Sequence, residues 1–379
     1  MNVPKLRFKE FNDEWVNTNI KSISNYIDGN YGENYPKESE FIRNGIPFIT
    51  SAVIGTTGIF DRKLVKYISQ EKNSILIKAQ STGGDIVLTN RGASMGVTSI
   101  IPEDYEIINI GPQLTRIRCF QDKAVSSFVL QLLKSPQYLY NLKLMNAGSA
   151  MPFISLDGLG KFKISLPTIK EQKKIGELFK LLDKKIELQS RKIEDFKLFK
   201  LSIKNNIFKK LENSNKLYIE DILDFEQPTK YIVNSEEYTN NKTDIPVLTA
   251  NKAFILGYCK EDNFYNKKCI IFDDFTLDMK YVDFPFKVKS SAIKILTPKE
   301  DFNLKYIFEY MKYLDLHSEE HKRHYISIVQ KIKIPVPEIK KQISIANKLE
   351  CFDNKIGFEV NKLEKLIELK KGLMQSMFV

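Results

Sequence analysis

Three histidines, His317, His321 and His324, stand at i, i+4 and i+7 in LKYIFEYMKYLDLHSEEHKRH (304–324), a stretch that predicts a helix. On one helix face they would offer three imidazoles to a metal. A zinc site also needs a closed ligand shell with hydrogen-bonded support. The neighbours Glu319, Glu320, Lys322 and Arg323 point instead to a solvated face or a phosphate-contacting patch, so no metal site is expected. Asp273, Asp274 and Asp278 suggest a carboxylate cluster, but the β-rich flanks and Lys280 predict surface turns. Gly83-Gly84 and Gly92 with Gly96 are not spaced to cradle a dinucleotide and read as turn glycines. There is no G-x-x-x-x-G-K-[ST] loop for a triphosphate and no [DNS]-P-P-[YFW] tetrad for a flipped adenine. Cys119, Cys259, Cys269 and Cys351 form no C-x-x-C pair and read as reduced thiols. The chain is expected to carry no catalytic residue and no cofactor of its own.

Binding chemistry remains. The 379 residues carry 58 Lys+Arg against 47 Asp+Glu, a net charge of +11, with a pI near 9.1. That favours a polyanionic partner only weakly, because charge specifies neither fold nor site. The excess is also spread out, at +4 over 1–165, +6 over 166–214, −1 over 215–334 and +2 over 335–379. Local geometry must therefore supply much of any nucleic-acid binding. Loop Thr, Asn, Ser, Arg and Lys side chains read base edges and phosphates. On that ground the first half offers Thr50, Ser51, Thr56, Thr57, Arg62, Lys63, Asn90, Arg91 and Ser94 as DNA contacts. The second half offers Asn251, Lys252, Lys280, Tyr281, Lys287, Lys289, Lys322, Arg323, His324 and Tyr325. The alternative for each is a structural turn or a solvated charge, and Arg91 in its glycine turn would then brace the fold.

The elements that must position these loops are duplicated. ISLPTIKEQKKI at 164–175 aligns with IPVPEIKKQISI at 334–345. Pro167 meets Pro337, Ile169 meets Ile339, Gln172 meets Gln342, and the match runs on through Asp183 with Asp353 to Phe208 with Phe378. Both copies carry heptads. The first seam is Ile175, Phe179, Leu182, Ile186, Gln189, Ile193, Phe196, Lys200, Ile203 and Ile207. The second is Ile345, Leu349, Phe352, Ile356, Glu359, Leu363, Leu366, Lys370, Leu373 and Met377. Sustained 3.5-residue spacing predicts a coiled coil, and each copy begins just after a proline, as a helix should. Two helices of about 40 residues would run roughly 60 Å each. The polar seam positions suggest an antiparallel pair with Lys200 facing Glu359 and Gln189 facing Lys370; the alternative is a loosened, solvated seam.

A globular segment precedes each helix. IPFITSAVIGTTGI (46–59) echoes IPVLTANKAFILGY (245–258). Strand-like runs follow at 74–79, 85–90 and 96–101, and again at 269–274 and 290–296. Helical stretches at 125–146 and 304–324 come next, and FISLDGLGKFKISLP (153–167) parallels YISIVQKIKIPVP (325–337). The expected fold class is α/β of the α+β kind. Two globular mixed α/β domains are joined by two long helices forming an antiparallel coiled coil, a pseudo-two-fold tandem repeat. An approximate two-fold of that kind suits a DNA duplex with two half-sites.

On the helix starts Pro167-Ile169-Gln172 and Pro337-Ile339-Gln342, and on GDIVLTNRGASMG (84–96), the chain resembles the specificity (S) subunit of type I restriction–modification enzymes over essentially its whole length. The second half departs from the pattern: IIFDDFTLDMKYVDFPFKVKSS replaces the glycine–arginine turn, so residues do not transfer one by one. The resemblance implies target-recognition domains at 1–165 and 214–335 and helical spacers at 166–213 and 336–379. It also implies a non-catalytic subunit on a bipartite asymmetric double-stranded DNA site. Two methylase subunits would bring S-adenosylmethionine and N6-adenine methylation. Restriction subunits, where they join, would bring ATP, Mg and cleavage. Leu181, Leu198, Leu201, Ile367 and Leu369, apolar but off the seam, are candidate methylase contacts or caps on the chain's own core. Two other readings stand beside this one, a self-contained DNA methyltransferase or nuclease and a coiled-coil tether with no nucleic-acid role. MNVPKLRFKEFNDEW has no apolar h-region and no run is long enough to span a bilayer, so a cytoplasmic protein without membrane contact is expected.

Overall fold

The computed structural model describes residues 3–145, 153–234, 238–251, 253–317 and 322–378. The chain divides into two units, Met1–Gln189 with Lys362–Val379, and Ser190–Asn361. Among the described residues no helix is long and apolar enough to cross a membrane.

In the first unit, Val16–Asn19 pairs antiparallel with Lys163–Leu166 and leads into a one-turn helix, Ile20–Ile23. The Asn19 side chain caps that turn by accepting the Ser22 N–H at 3.1 Å. Ser24–Asp28, Leu114–Cys119, Ile86–Thr89 and Thr98–Ile100 then form an antiparallel four-stranded sheet in that order. A second sheet has the order Lys66–Ile68, Ile46–Ile49, Ile108–Ile110, Gln80–Ser81, and its two central strands are parallel. The alternating run at 74–79 is not a strand. Ser69 caps a helix at Gln70–Ile75, accepting the Lys72 N–H. The stretch 125–146 is two helices, Ser126–Lys134 and Pro136–Met145. Pro136 has no N–H to continue the first helix and a φ already suited to starting the second.

The second unit repeats this plan. Lys216–Tyr218 pairs with Lys333–Pro335 ahead of a one-turn helix, Ile219–Ile222. Leu223–Glu226, Ile293–Pro298, Cys269–Asp273 and Met279–Val282 form the antiparallel sheet. Ile255–Cys259, Ile245–Leu248 and Lys287–Val288 form the other sheet, again with a parallel pair. The helix expected over 304–324 ends at Tyr313. His317 and His324 therefore share no helix face. His317 is exposed with its ring nitrogen on the Asp315 carbonyl, His324 is buried, and His321 lies outside the described residues.

Two long helices, Ile169–Leu211 of 43 residues and Ile339–Met377 of 39, contribute to both units. Within each unit they pack antiparallel. In the first unit Phe179 and Phe378 stack with centroids 5.7 Å apart, and Asp183 binds Lys370 at 2.5 Å. In the second, Lys192 binds Glu359, Lys355 sits over Phe196, and Lys200 binds Asp353 at 2.6 Å. Of the seam residues, Ile175, Phe179, Gln189, Ile193, Ile345, Leu349, Glu359 and Met377 are buried; the rest are half-buried. The phase of the heptads holds, but the expected facing does not. Lys200 meets Asp353 and Glu309 rather than Glu359, and Lys370 meets Asp183 rather than Gln189. The register differs by about one heptad, an ambiguity that a seven-residue repeat cannot resolve by itself.

Each unit has its own apolar core joined to the helices. Phe128, Phe179 and Phe378 meet in the first unit, and Phe208, Tyr306 and Leu349 in the second. Each fully buried aromatic contributes roughly 1.5–3 kcal/mol.

Candidate nucleic-acid interface

The glutamine at each long-helix start is the joint between helix and globular domain. Gln172 is 1% exposed. Its carbonyl accepts the Val125 N–H at 2.9 Å, and its amide donates to the carbonyls of Pro167 and Lys123. Gln342 repeats this, accepting the Asn303 N–H at 2.9 Å and donating to Pro337. Val125 and Asn303 are the N-caps of the helices Ser126–Lys134 and Leu304–Tyr313. One buried amide thus satisfies an N–H ahead of each domain helix and locks that helix onto the long one. A second tie lies further along. Gln131 donates to Asp183, which holds Lys370, and Glu309 joins Asp353 in holding Lys200. The offset that aligns Lys200 with Lys370 also aligns Asp183 with Asp353, so the two ion pairs are one contact repeated. That alignment is the signal from which the register was readable.

Burial pulls the Lys200 ammonium down in pKa, but the bonds from Asp353 and Glu309 outweigh it, and the pKa lies above the ordinary lysine value. The stabilisation from this pair is therefore complete below about 10.4, the unfolded value, and is lost as pH rises through the higher folded value. Unfolding followed by denaturant at rising alkaline pH should show that loss in the wild type. In Lys200→Met its slope should be smaller.

The hairpin loops sit on rigid bases. Asn90 is fully buried and donates from one amide to Asp28, Thr115 and the Pro112 carbonyl. In the second unit Asp274, also buried, accepts the N–H groups of His324 and Tyr325 and pairs with buried Lys294 at 3.3 Å. Asp274 is therefore an internal anchor, not the surface turn expected of it. A buried side chain with this many partners fixes the backbone beside it.

Several expected DNA contacts are excluded by burial. Asn90 belongs to the network just described. Lys287 is 2% exposed, ion-paired to Glu261 at 2.9 Å and bonded to the Asp262 carbonyl. His324 and Tyr325 are buried, Tyr325 against Phe225 and Phe272. Asn90 and Lys287 are satisfied by internal partners, and His324 and Tyr325 are held by their backbone N–H groups on Asp274, none of which residue type alone reveals. Lys252 lies outside the described residues.

In the first unit Thr56, Thr57, Lys63 and Arg91 are exposed, while Thr50, Ser51 and Ser94 are half-buried. Ser51 donates to Gln113, and Thr57 accepts the Ile59 N–H. Arg62 is exposed but engaged, with two bonds to Asp104 and its guanidinium over Tyr105. The Asp104 bond raises its pKa and keeps it charged. Thr50 to Lys63 thus form one braced loop surface. In the second unit Asn251, Lys289, Lys322 and Arg323 are exposed, and Lys280 and Tyr281 are half-buried. Tyr281 packs on Phe308 under Lys305.

Neither Cys119 nor Cys269 is poised as a thiolate nucleophile. Burial pushes Cys119 up to about 11 and Cys269 up to about 12, so both thiols stay protonated at neutral pH. Among the described residues no group of three or more His, Cys, Asp or Glu side chains converges as a metal site.

The sequence matches the type I restriction modification DNA specificity domain over residues 12–198 and again over 205–369. The chain belongs to this family. Two tandem copies of the domain account for the repeated sheets and the repeated glutamine joint. Over 125 residues the chain is 46% identical to the type I restriction enzyme EcoR124I/EcoR124II specificity subunit of Escherichia coli, a match spanning 31% of each chain. A putative type I restriction enzyme MjaX specificity subunit of Methanocaldococcus jannaschii is 22% identical over 98% of this chain and 95% of its own. In fold, the chain is similar to the S subunit of a type I restriction–modification system from M. genitalium. Its TM-score is 0.69, with 16% identity, over 100% of this chain and 99% of that one. A chain from a study of complex assembly and conformational transition of the type I R-M system gives a TM-score of 0.56 with 13% identity, over 96% and 97% of the two chains.

Proposed function

We propose that this chain is the DNA-recognition and scaffold subunit of a type I restriction–modification complex, with each specificity domain reading one half of a bipartite, asymmetric site. The observation that supports this most directly is the tandem domain itself. Framework contacts are duplicated position for position, while the loops above them differ, as they must if two half-sites differ.

Two methylase subunits supply S-adenosylmethionine and transfer methyl to adenine N6; restriction subunits, where they join, supply ATP- and Mg-dependent cleavage. The exposed apolar residues of the long helices support docking of two like partners. Leu188 and Phe358 occupy equivalent positions, as do Phe199 and Leu369, and all four are at least half exposed. Leu181, Leu198, Leu201 and Ile367 extend these faces and are similarly exposed. Apolar area of this kind off a seam marks a protein contact.

Selection from a random duplex library by the chain assembled with its methylase subunits should enrich a two-part motif. The chain alone with S-adenosylmethionine should transfer no methyl group. Enrichment of nothing would favour a tether, and methyl transfer by the isolated chain would favour a self-contained enzyme.

A further inference from the structure

In each unit a hairpin of the four-stranded sheet is met by the segment returning from the domain helices, and the two meeting points correspond atom for atom. Asn90 and Asp274 each follow the last residue of a central strand. Asn90 donates its N–H to the Gln113 carbonyl and accepts the Ile154 N–H on its own carbonyl. Asp274 donates to Ala292 and accepts from His324. One residue onward in the hairpin and one residue back in the returning segment stand Arg91 with Phe153 in the first unit, and Phe275 with Arg323 in the second. The Arg91 guanidinium lies 5.1 Å from the Phe153 ring centroid, and the Arg323 guanidinium 6.0 Å from that of Phe275. The pair is kept and its members are exchanged.

Common descent would leave the same residue at the same position. Exchange requires both positions to change, so what has been retained is a cation resting on a ring at this place. Stacking alone is worth only about 0.5–1 kcal/mol at an exposed site. The charge, moreover, is not spent inside the protein. Arg7, Arg62 and Arg118 are tied to Glu171, Asp104 and Asp85. Arg91 and Arg323 are exposed, and neither has a carboxylate partner among the described residues. Arg91 uses Nε on the Asn90 side chain, at 3.2 Å, which leaves its terminal nitrogens for a ligand. Base-reading groups should diverge between domains that read different sequences. The backbone phosphate is the ligand both half-sites share.

We propose that Arg91 and Arg323 are equivalent phosphate contacts, one in each recognition domain, each held in orientation by an aromatic ring. This rests on the DNA-recognition reading above. The test uses the full chain assembled with its methylase subunits, binding a duplex that carries its selected site across a salt series. Arg91→Ala and Arg323→Ala should each weaken binding about tenfold, lower the slope of log affinity against log salt by about one, and leave the preferred bases unchanged. Arg91→Phe combined with Phe153→Arg, which copies the second domain's arrangement into the first, should recover affinity to within about twofold. An unchanged salt slope in either single variant, a changed preference at one base, or failure of the exchanged pair to recover binding would overturn the proposal. A wild-type complex without sequence preference would instead defeat the recognition reading, so the two failures are distinguishable.

Discussion

Four residues inserted into the first long helix between Asp183 and Lys200 will lengthen the unread spacer of the recognised DNA site by one or two base pairs while the bases at each end stay the same. The insertion is close to one helical turn, so seam residues keep their inward phase with a small local change in supercoil. It adds roughly 6 Å of helix against 3.4 Å per base-pair step. The glutamine joints that tie each domain to a long helix, Gln172 and Gln342, lie outside the insertion and are untouched. Affinity for the original site should fall by several orders of magnitude. It should return on a duplex with the longer spacer, as measured by binding to a panel differing only in spacer length. A spacer that stays fixed while the end bases change would show that the helices do not set the distance.

Reversing one charge in the repeated ion pair should have the largest effect on stability. Lys200 sits between Glu309, whose side chain is 4% exposed, and Asp353. Lys200→Glu removes the cation from two carboxylates and adds a third, leaving buried negative charge uncompensated. Losing one partner of a buried pair costs about 3–5 kcal/mol. The lower end applies here because the Asp353 side chain is 40% exposed and partly screened. Denaturant unfolding of Lys200→Glu should show a loss on the order of 3 kcal/mol, and adding Asp353→Lys should restore part of it. A loss below about 1 kcal/mol would mean that the seam holds without this contact.

Much of the architecture was legible in the sequence, for reasons that mark where legibility stops. Heptad phase depends on residue type at a fixed spacing, so the seam from Ile175 to Ile207 and from Ile345 to Met377 could be read directly. Register depends on which heptad meets which, and here Gln131 and Glu309, far away in sequence, take part in the pairs that define it. Local breaks are less legible than periodicity. Pro136 divides one helical pattern into two, and the helix after Asn303 stops at Tyr313 although its polar continuation looked helical. The loops offered as DNA contacts are the least legible. Thr56, Lys63 and Arg323 are exposed as their types suggest, whereas Asn90, Lys287, His324 and Tyr325 look like surface residues until their internal partners are known. Phe153 and Phe275 give no signal in the sequence, because a lone aromatic in a loop carries no pattern.

Central to the proposed function are two domains that together read one split site for enzymes they do not contain. Its most direct test is to express the chain with its methylase subunits in cells lacking other adenine methylation and map N6-methyladenine across the genome. Methylation is expected at a single motif of two defined, different half-sites separated by a fixed run of unspecified bases, and is lost when this chain is omitted. One contiguous motif, or methylation that persists without this chain, would contradict it.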